Sequence, residues 1–227
     1  MSIDTTYRID AVEMMDDFSL EGELLTDALD KIAGINRFLG GNKVTLQGVQ
    51  HLLADIPKDY EITIVDLGCG NGDMLRALAD FAVKDERHFK LIGIDANRCT
   101  IDYAKSLSTV YPAIDYKCAD IFNLDLSALQ CDIALATLTL HHFVDEDILH
   151  LLKDLNKNSR IGIVVNDLER SGLAYHLFKM ICFLFNLNRM SREDGLVSIL
   201  RGFKKKELVA FSEKLGLKKY SIRWKWA

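Results

Sequence analysis

The chain is 227 residues long, with 49% hydrophobic and 27% charged residues and a formal net charge of −5. That length suits one α/β domain with a full core and leaves little for a second, and the balance is that of a globular protein, not a disordered or fibrous one. Five cysteines form no C-x-x-C pair, which argues against a zinc cluster and fits reduced thiols in a cytoplasmic protein.

Met1-Ser2-Ile3-Asp4 lacks the basic-then-apolar pattern of a secretory signal. The longest apolar-rich window, Leu173 to Leu187, contains His176, Lys179 and Asn186 and falls short of a membrane span. Charge is unevenly spread: residues 1–30 hold nine Asp/Glu against Arg8, and residues 201–227 hold nine Lys/Arg against Glu207 and Glu213. The basic end reads first as a solvated helix face plus an outward strand face, so no nucleic-acid partner is expected from it.

In chain order, the first sixty residues read as helical. Leu20, Leu24, Leu25, Ala28, Leu29 and Ile32 recur at helical spacing behind Ser19 as a cap, and Gly40-Gly41 closes that helix. Leu46, Val49, Leu53 and Ile56 mark a second. From residue 61 the pattern alternates: a strand at Ile62–Val65, a helix on Leu75, Leu78 and Ala82, and a strand at Lys90–Ile94. A helix on Ile101, Ala104 and Leu107 follows, then strands at Ile114–Cys118 and Cys131–Thr137. A helix opened by Asp145-Glu146-Asp147 buries Ile148, Leu151, Leu152 and Leu155, and a fifth strand runs Ile161–Val165.

Uncharged apolar strands alternating with amphipathic helices give a doubly wound, mostly parallel sheet covered on both faces. Near the end, Leu208, Phe211 and Leu215 mark a helix, and Tyr220, Ile222, Trp224 and Trp226 alternate with polar residues as a half-buried strand. The expected organisation is an N-terminal helical cap over 1–58 and a cofactor-binding domain over 59–227, carrying a helical lid insertion at about 168–200.

The chemistry is concentrated after the first strand, in Val65-Asp66-Leu67-Gly68-Cys69-Gly70-Asn71-Gly72-Asp73. A glycine-rich turn between strand and helix lets backbone N–H groups face a ligand without intervening side chains. A dinucleotide site wants G-x-G-x-x-G, whereas here the third-glycine position is Asp73 and an acid, Asp66, precedes the loop. Asp95 ends the second strand before Ala96, where a carboxylate can accept ribose hydroxyls, and Asp120 follows the third strand before Ile121. Three acids at one sheet edge, in order, frame a small-molecule crevice.

Together these segments resemble motif I and the following acidic positions of the class I S-adenosylmethionine-dependent methyltransferases, over about residues 60–170. The resemblance implies a seven-strand-type sheet and S-adenosyl-L-methionine as cofactor, with S-adenosyl-L-homocysteine as product. It places cofactor contact at Asp66, Gly68, Cys69, Gly70, Asn71, Gly72, Asp95, Ala96, Asp120, Ile121 and Thr137. The N-terminal helices and the segment after 167 are similar to the small-molecule branch that includes quinone, phenol and polyketide-tailoring enzymes.

Methyl transfer needs alignment, and a hydroxyl or enol acceptor also needs a base titrating near neutral pH. His141 and His142, in Thr137-Leu138-Thr139-Leu140-His141-His142-Phe143 after the fourth strand, are the candidates for base or substrate ligand. The nucleic-acid N-methyltransferase motif, Asn/Asp-Pro-Pro-aromatic, is absent at this point. The metal-dependent catechol pattern is not matched either, since the positions read Thr137 and Asn166-Asp167, so no catalytic metal is expected. The apolar run Leu173, Leu177, Met180, Ile181, Phe183, Leu184 and Phe185 is too broad for one helix stripe. It reads as a pocket lid with adaptable side chains such as Met180 and Met190, with a dimer interface or peripheral membrane contact as alternatives. Asp194 and Arg201 could add polar contacts to that lid.

The resulting expectation is an O- or C-methyltransferase of a small lipophilic phenol, enol or quinone-like acceptor, monomeric or homodimeric. The alternatives are an NAD(P)-type oxidoreductase and a non-catalytic cofactor-binding partner protein. The expected sheet is short of the usual antiparallel pair at its end, with Val197 to Leu200 as a further strand candidate.

Overall fold

A computed structural model describes residues 3–185 and 187–225. Asn186, inside the apolar run, and Trp226, in the expected last strand, lie outside the described residues.

Five strands form one parallel sheet in the order β3-β2-β1-β4-β5. They are β1 (Glu61–Leu67), β2 (His88–Asp95), β3 (Ile114–Cys118), β4 (Ile133–Thr137) and β5 (Gly162–Asn166). The period of two sorts their apolar residues onto two faces. Ile62, Ile64, Leu91, Ile133 and Leu135 share one buried cluster with Leu75 and Leu78 of α3 (Asp73–Lys84) and Val49 of α2 (Gly41–Leu52). Val65, Leu67, Ile94, Ala134 and Ala136 share the other with Ile148, Leu151 and Leu155 of α5 (Asp145–Asn158) and Phe211 of α8 (Lys205–Lys214). Helices α1 (Glu23–Leu39), α4 (Arg98–Leu107), α6 (Gly172–Leu184) and α7 (Arg189–Arg201) complete the set. Strands buried on both faces explain why their sequences read as continuous apolar runs.

Several sequence expectations change. Ser19 does not cap α1; its amide and hydroxyl bond Asp17, and Gly22 precedes the helix. Residues 3–22 are mostly irregular, with a short 3₁₀ turn at Met14–Asp16, so the N-terminal cap consists of a strap followed by two helices. Val197 to Leu200 lies in α7 and supplies no strand.

The seven-strand expectation is corrected to five strands among the described residues, because Tyr220–Lys225 forms no strand beside β5. Alternation alone could not reveal this, since a strand exists only where a second backbone supplies hydrogen bonds. On the lid, Leu173, Met180 and Phe183 of α6 are exposed, Phe183 by 87%, and Leu173, Leu177, Phe178, Met180 and Ile181 line the cavity. No described helix is long and apolar enough to cross a membrane.

Candidate active site

The sheet order reverses at β1, between β2 and β4, and the carboxyl ends of these strands open into one cavity of about 2260 Å³. The lining runs past the strand ends to Gly162 and Leu215, so the cavity extends beyond the glycine-loop crevice.

The glycine loop forms the inner wall. Gly68, Gly70 and Gly72 have φ of 68°, 51° and 76°, the left-handed region that disfavours a Cβ. Two are also sterically required: a Cβ on Gly68 would stand 2.8 Å from Thr139, and one on Gly72 would stand 2.0 Å from the Tyr116 hydroxyl. The Gly68 and Cys69 amides both donate to the Ile94 carbonyl, at 2.8 and 3.0 Å, and Thr139 Oγ1 donates to the Leu67 carbonyl at 2.9 Å. These bonds tie the loop to β2 and to the segment after β4.

Asp66 lies beneath the loop, 2% exposed, and its Oδ1 has no hydrogen-bond partner among the described residues. Burial, with the charges of Asp73 and Asp95 adding to it, pushes its carboxyl well above the usual carboxylate range. An orphaned acceptor in an acidic recess calls for a cationic donor. The amino group and sulfonium of S-adenosylmethionine fit that requirement, and a pyrophosphate does not.

Asp95 accepts from the Gly70 amide at 3.1 Å and the Asn97 amide at 3.0 Å. Burial raises its carboxyl against the pull of those bonds. Asp73 begins α3 and accepts from Asn42 Nδ2 at 2.8 Å, so the dinucleotide third-glycine position carries a negative side chain engaged elsewhere.

The remaining expected cofactor residues divide. Gly68, Cys69, Gly70, Asn71, Asp95, Ala96, Asp120, Ile121 and Thr137 all line the cavity with Asp66, whereas Gly72 points toward Tyr116 and serves the turn. Both Asp120 oxygens are engaged locally, by the Phe122 amide at 3.0 Å and Asn123 Nδ2 at 2.8 Å. Asn71 Nδ2 reaches back to Asp30 of α1 at 3.1 Å. Burial raises the Cys69 thiol. Beyond β4, Leu138 holds a left-handed φ of 54°, a strained conformation at the crevice rim.

His141 and His142 stand past that rim with ring centroids 4.2 Å apart. His141 Nδ1 is 2.7 Å from Asp167 Oδ1, and His142 Nδ1 is 2.6 Å from Asp16 Oδ1. Burial opposes the ionised form of Asp167, but the His141 charge and hydrogen bond hold it below its ordinary value. Burial likewise opposes ionisation of Asp16, and hydrogen bonds from His142 and Arg201 hold it well below the carboxylate range.

Sequence reading missed Glu13 and Asp16, which lie more than a hundred residues from the histidines with no motif to mark them. The strap that carries them is tied down along its length. Asp194 accepts from the Met14 and Met15 amides at 2.8 and 3.0 Å, and Ser198 Oγ donates to Glu13 Oε2 at 2.7 Å. The buried Arg170 bonds the Thr5 and Thr6 carbonyls at 3.0 and 3.3 Å, and Glu207 at 2.6 Å. Arg201 bonds Asp16 at 2.7 Å and the His141 and His142 carbonyls. The polar residues expected on the lid, Asp194 and Arg201, therefore serve the strap and the histidines.

Residues 64–162 match the methyltransferase domain family. The acidic recess beneath the glycine loop agrees with that match. The chain carries an S-adenosylmethionine-dependent methyltransferase domain over those residues. S-adenosylmethionine is the cofactor of such a methyltransferase.

Among curated relatives, a carboxy-S-adenosyl-L-methionine synthase of Campylobacter jejuni is 26% identical over 204 residues, covering 85% of this chain and 84% of that protein. A synthase of the same description from Campylobacter hominis is 27% identical over 119 residues, covering 52% and 44%. Among solved structures, the plantazolicin methyltransferase BpumL in complex with SAH is similar at a TM-score of 0.62 and 19% identity, covering 86% of this chain and 70% of that one. At that identity the likeness concerns the fold.

Proposed function

We propose that this methyltransferase transfers a methyl group to an oxygen or carbon of a small lipophilic acceptor of the phenol, enol or quinone-like class. The observation that carries the reading is the histidine pair, each ring fixed through Nδ1 by a carboxylate, on the rim of the cavity that holds Asp66, Gly70 and Asp95. S-adenosylmethionine supplies a methyl already activated on a sulfonium sulfur. The protein then has to bind the cofactor at Asp66 and Asp95, place the acceptor in line, and remove its proton.

Leu25, Leu29, Leu177, Phe178, Ile181 and Ile199 give the far side of the cavity the apolar wall that such an acceptor needs. The lid helices α6 and α7 form part of that wall, and the lid insertion over about 168–200 is proposed as the acceptor-binding unit.

The test is calorimetric titration with S-adenosylhomocysteine, followed by a methyl-release assay over a panel of alkylphenols, naphthols and quinols. Micromolar S-adenosylhomocysteine binding that weakens at least tenfold in Asp95→Ala, with methylation of one panel member, supports the reading. Absence of S-adenosylhomocysteine binding would sink it.

The carboxy-S-adenosyl-L-methionine synthase relatives favour a second reading, in which the cofactor itself is the substrate. Mass spectrometry of the cofactor pool after incubation with candidate carboxylic-acid donors separates the two, because only the second leaves a carboxylated cofactor.

A further inference from the structure

The two histidines are not equivalent. Only 3% of the His141 side chain is exposed, against 25% for His142. His141 is walled by carboxylates on both ring nitrogens: Nδ1 meets Asp167 at 2.7 Å, and Nε2 lies 3.7 Å from Glu13 Oε1. His142 is held on one side alone, through Nδ1 by Asp16 at 2.6 Å, and among the described residues its Nε2 makes no hydrogen bond. We propose that His142 is the base that takes the acceptor's proton and that Asp16, delivered by the N-terminal strap, is the positioning residue that orients it. This rests on the methyl-transfer reading above and names the machinery of that same site.

The physical reasoning is the tautomer. A carboxylate only accepts, so the Asp16 contact puts a proton on Nδ1 and leaves the lone pair on Nε2. Asp16 is in turn fixed by two donors: the Glu13 amide at 3.0 Å and Arg201 Nη1 at 2.7 Å reach its Oδ2 and leave Oδ1 to the imidazole. Base, orienting carboxylate and the guanidinium that aligns the carboxylate form the arrangement expected of general-base catalysis in a folded site.

The charged groups around His142 come from every element packed against it: Glu13 and Asp16 on the strap, Asp95 at the end of β2, His141 beside it, Asp167 after β5, and Asp194 and Arg201 on α7. In the step itself the acceptor O–H proton moves to Nε2. The acceptor oxygen's electron pair forms the bond to the methyl carbon, and the methyl–sulfur bond breaks with its pair on sulfur. The imidazolium is balanced by Asp16 and returns its proton to solvent through the exposed part of the ring. The strap is thus a positioning element: without residues 13–16 in place, the base loses its orientation.

The experiment is ¹⁵N-histidine NMR on the full chain saturated with S-adenosylhomocysteine, with resonances assigned by their loss in His142→Gln and His141→Gln. The wild type is expected to show His142 as the Nδ1–H tautomer. Asp16→Ala is expected to convert it to the Nε2–H tautomer, because the acceptor that holds the proton on Nδ1 is gone. Unchanged S-adenosylhomocysteine affinity shows that the variant is folded. Asp167→Asn moves the His141 signals and leaves the His142 tautomer alone.

A wild-type Nε2–H tautomer of His142 overturns the proposal, as does an Asp16→Ala protein whose His142 is unaltered. Stoichiometric bound metal in the purified protein overturns it too, because Glu13, His141 and His142 bring one donor atom each within 4.8 Å of one another, and an ion there would take both imidazoles. With 4-octylphenol as probe acceptor, His142→Gln is expected to cut kcat by at least about a hundredfold. Asp16→Ala should lower kcat and move the acid limb of its pH profile with KM little changed. Loss of S-adenosylhomocysteine binding in the wild type would instead defeat the methyl-transfer reading, so the two failures are distinguishable.

Discussion

Replacing Gly72 with alanine asks the most of the cofactor loop. At φ 76° the new residue is held in the left-handed region, a cost of about 1–2 kcal/mol for an L side chain. Its Cβ would also stand 2.0 Å from the Tyr116 hydroxyl and 2.8 Å from Cζ, so the ring must move. Moving it breaks the 2.8 Å contact between the Tyr116 and Ser108 hydroxyls, worth about 0.5–1.5 kcal/mol. The sum is about 2–3 kcal/mol of stability, or roughly 5–10 °C in Tm for a chain of this size.

Urea denaturation of Gly72→Ala, Tyr116→Phe and the double variant gives the cycle. If the clash contributes as the geometry implies, Gly72→Ala costs about 1 kcal/mol less in the Tyr116→Phe background. Strict additivity, or a single-variant loss below about 0.5 kcal/mol, would refute the steric argument. S-adenosylhomocysteine affinity should weaken as well, because the turn also places the Gly70 amide against Asp95.

Asp66→Asn separates stability from binding: removing a carboxyl whose ionisation burial opposes should raise the Tm of the ligand-free protein near pH 7 while weakening S-adenosylmethionine at least tenfold. A variant that binds the cofactor as the wild type does would exclude the cation-binding role of this acidic recess. Burial pushes Glu13 up to about 7 from an ordinary 4.5. The folded state therefore holds that proton more tightly than the unfolded chain, so its contribution is complete below pH 4.5 and disappears as pH rises through about 7. Glu13→Gln should thus gain stability relative to wild type between pH 5 and 8, and denaturation across that range that shows no relative gain contradicts it. Arg170→Met should lose about 3–5 kcal/mol, because it leaves Glu207 and several carbonyls without their partner. Limited proteolysis of the folded variant should cut within residues 3–16, and an uncut strap would show that other contacts hold it.

What the sequence determined by itself is local or periodic. Continuous apolar strands between amphipathic helices gave a parallel sheet covered on two faces, and Gly68 to Asp73 marked the cofactor turn because its conformations exclude side chains. Asp95 was legible because a carboxylate closes a strand there, and the histidine pair because it follows β4, which ends at the same edge.

The tertiary structure alone decided the rest. Whether Tyr220–Lys225 becomes a strand depends on a pairing partner, and the alternation that suggested one describes faces without supplying hydrogen bonds. The distinction between His141 and His142 depends on Glu13 and on Asp16, the latter brought across 126 residues of chain to a 2.6 Å contact with His142, on a strap held by Arg170, Asp194 and Arg201. Periodicity reports what a segment buries. It carries no information about which distant carboxylate will meet which imidazole, because that choice is made when the strap closes over the finished sheet.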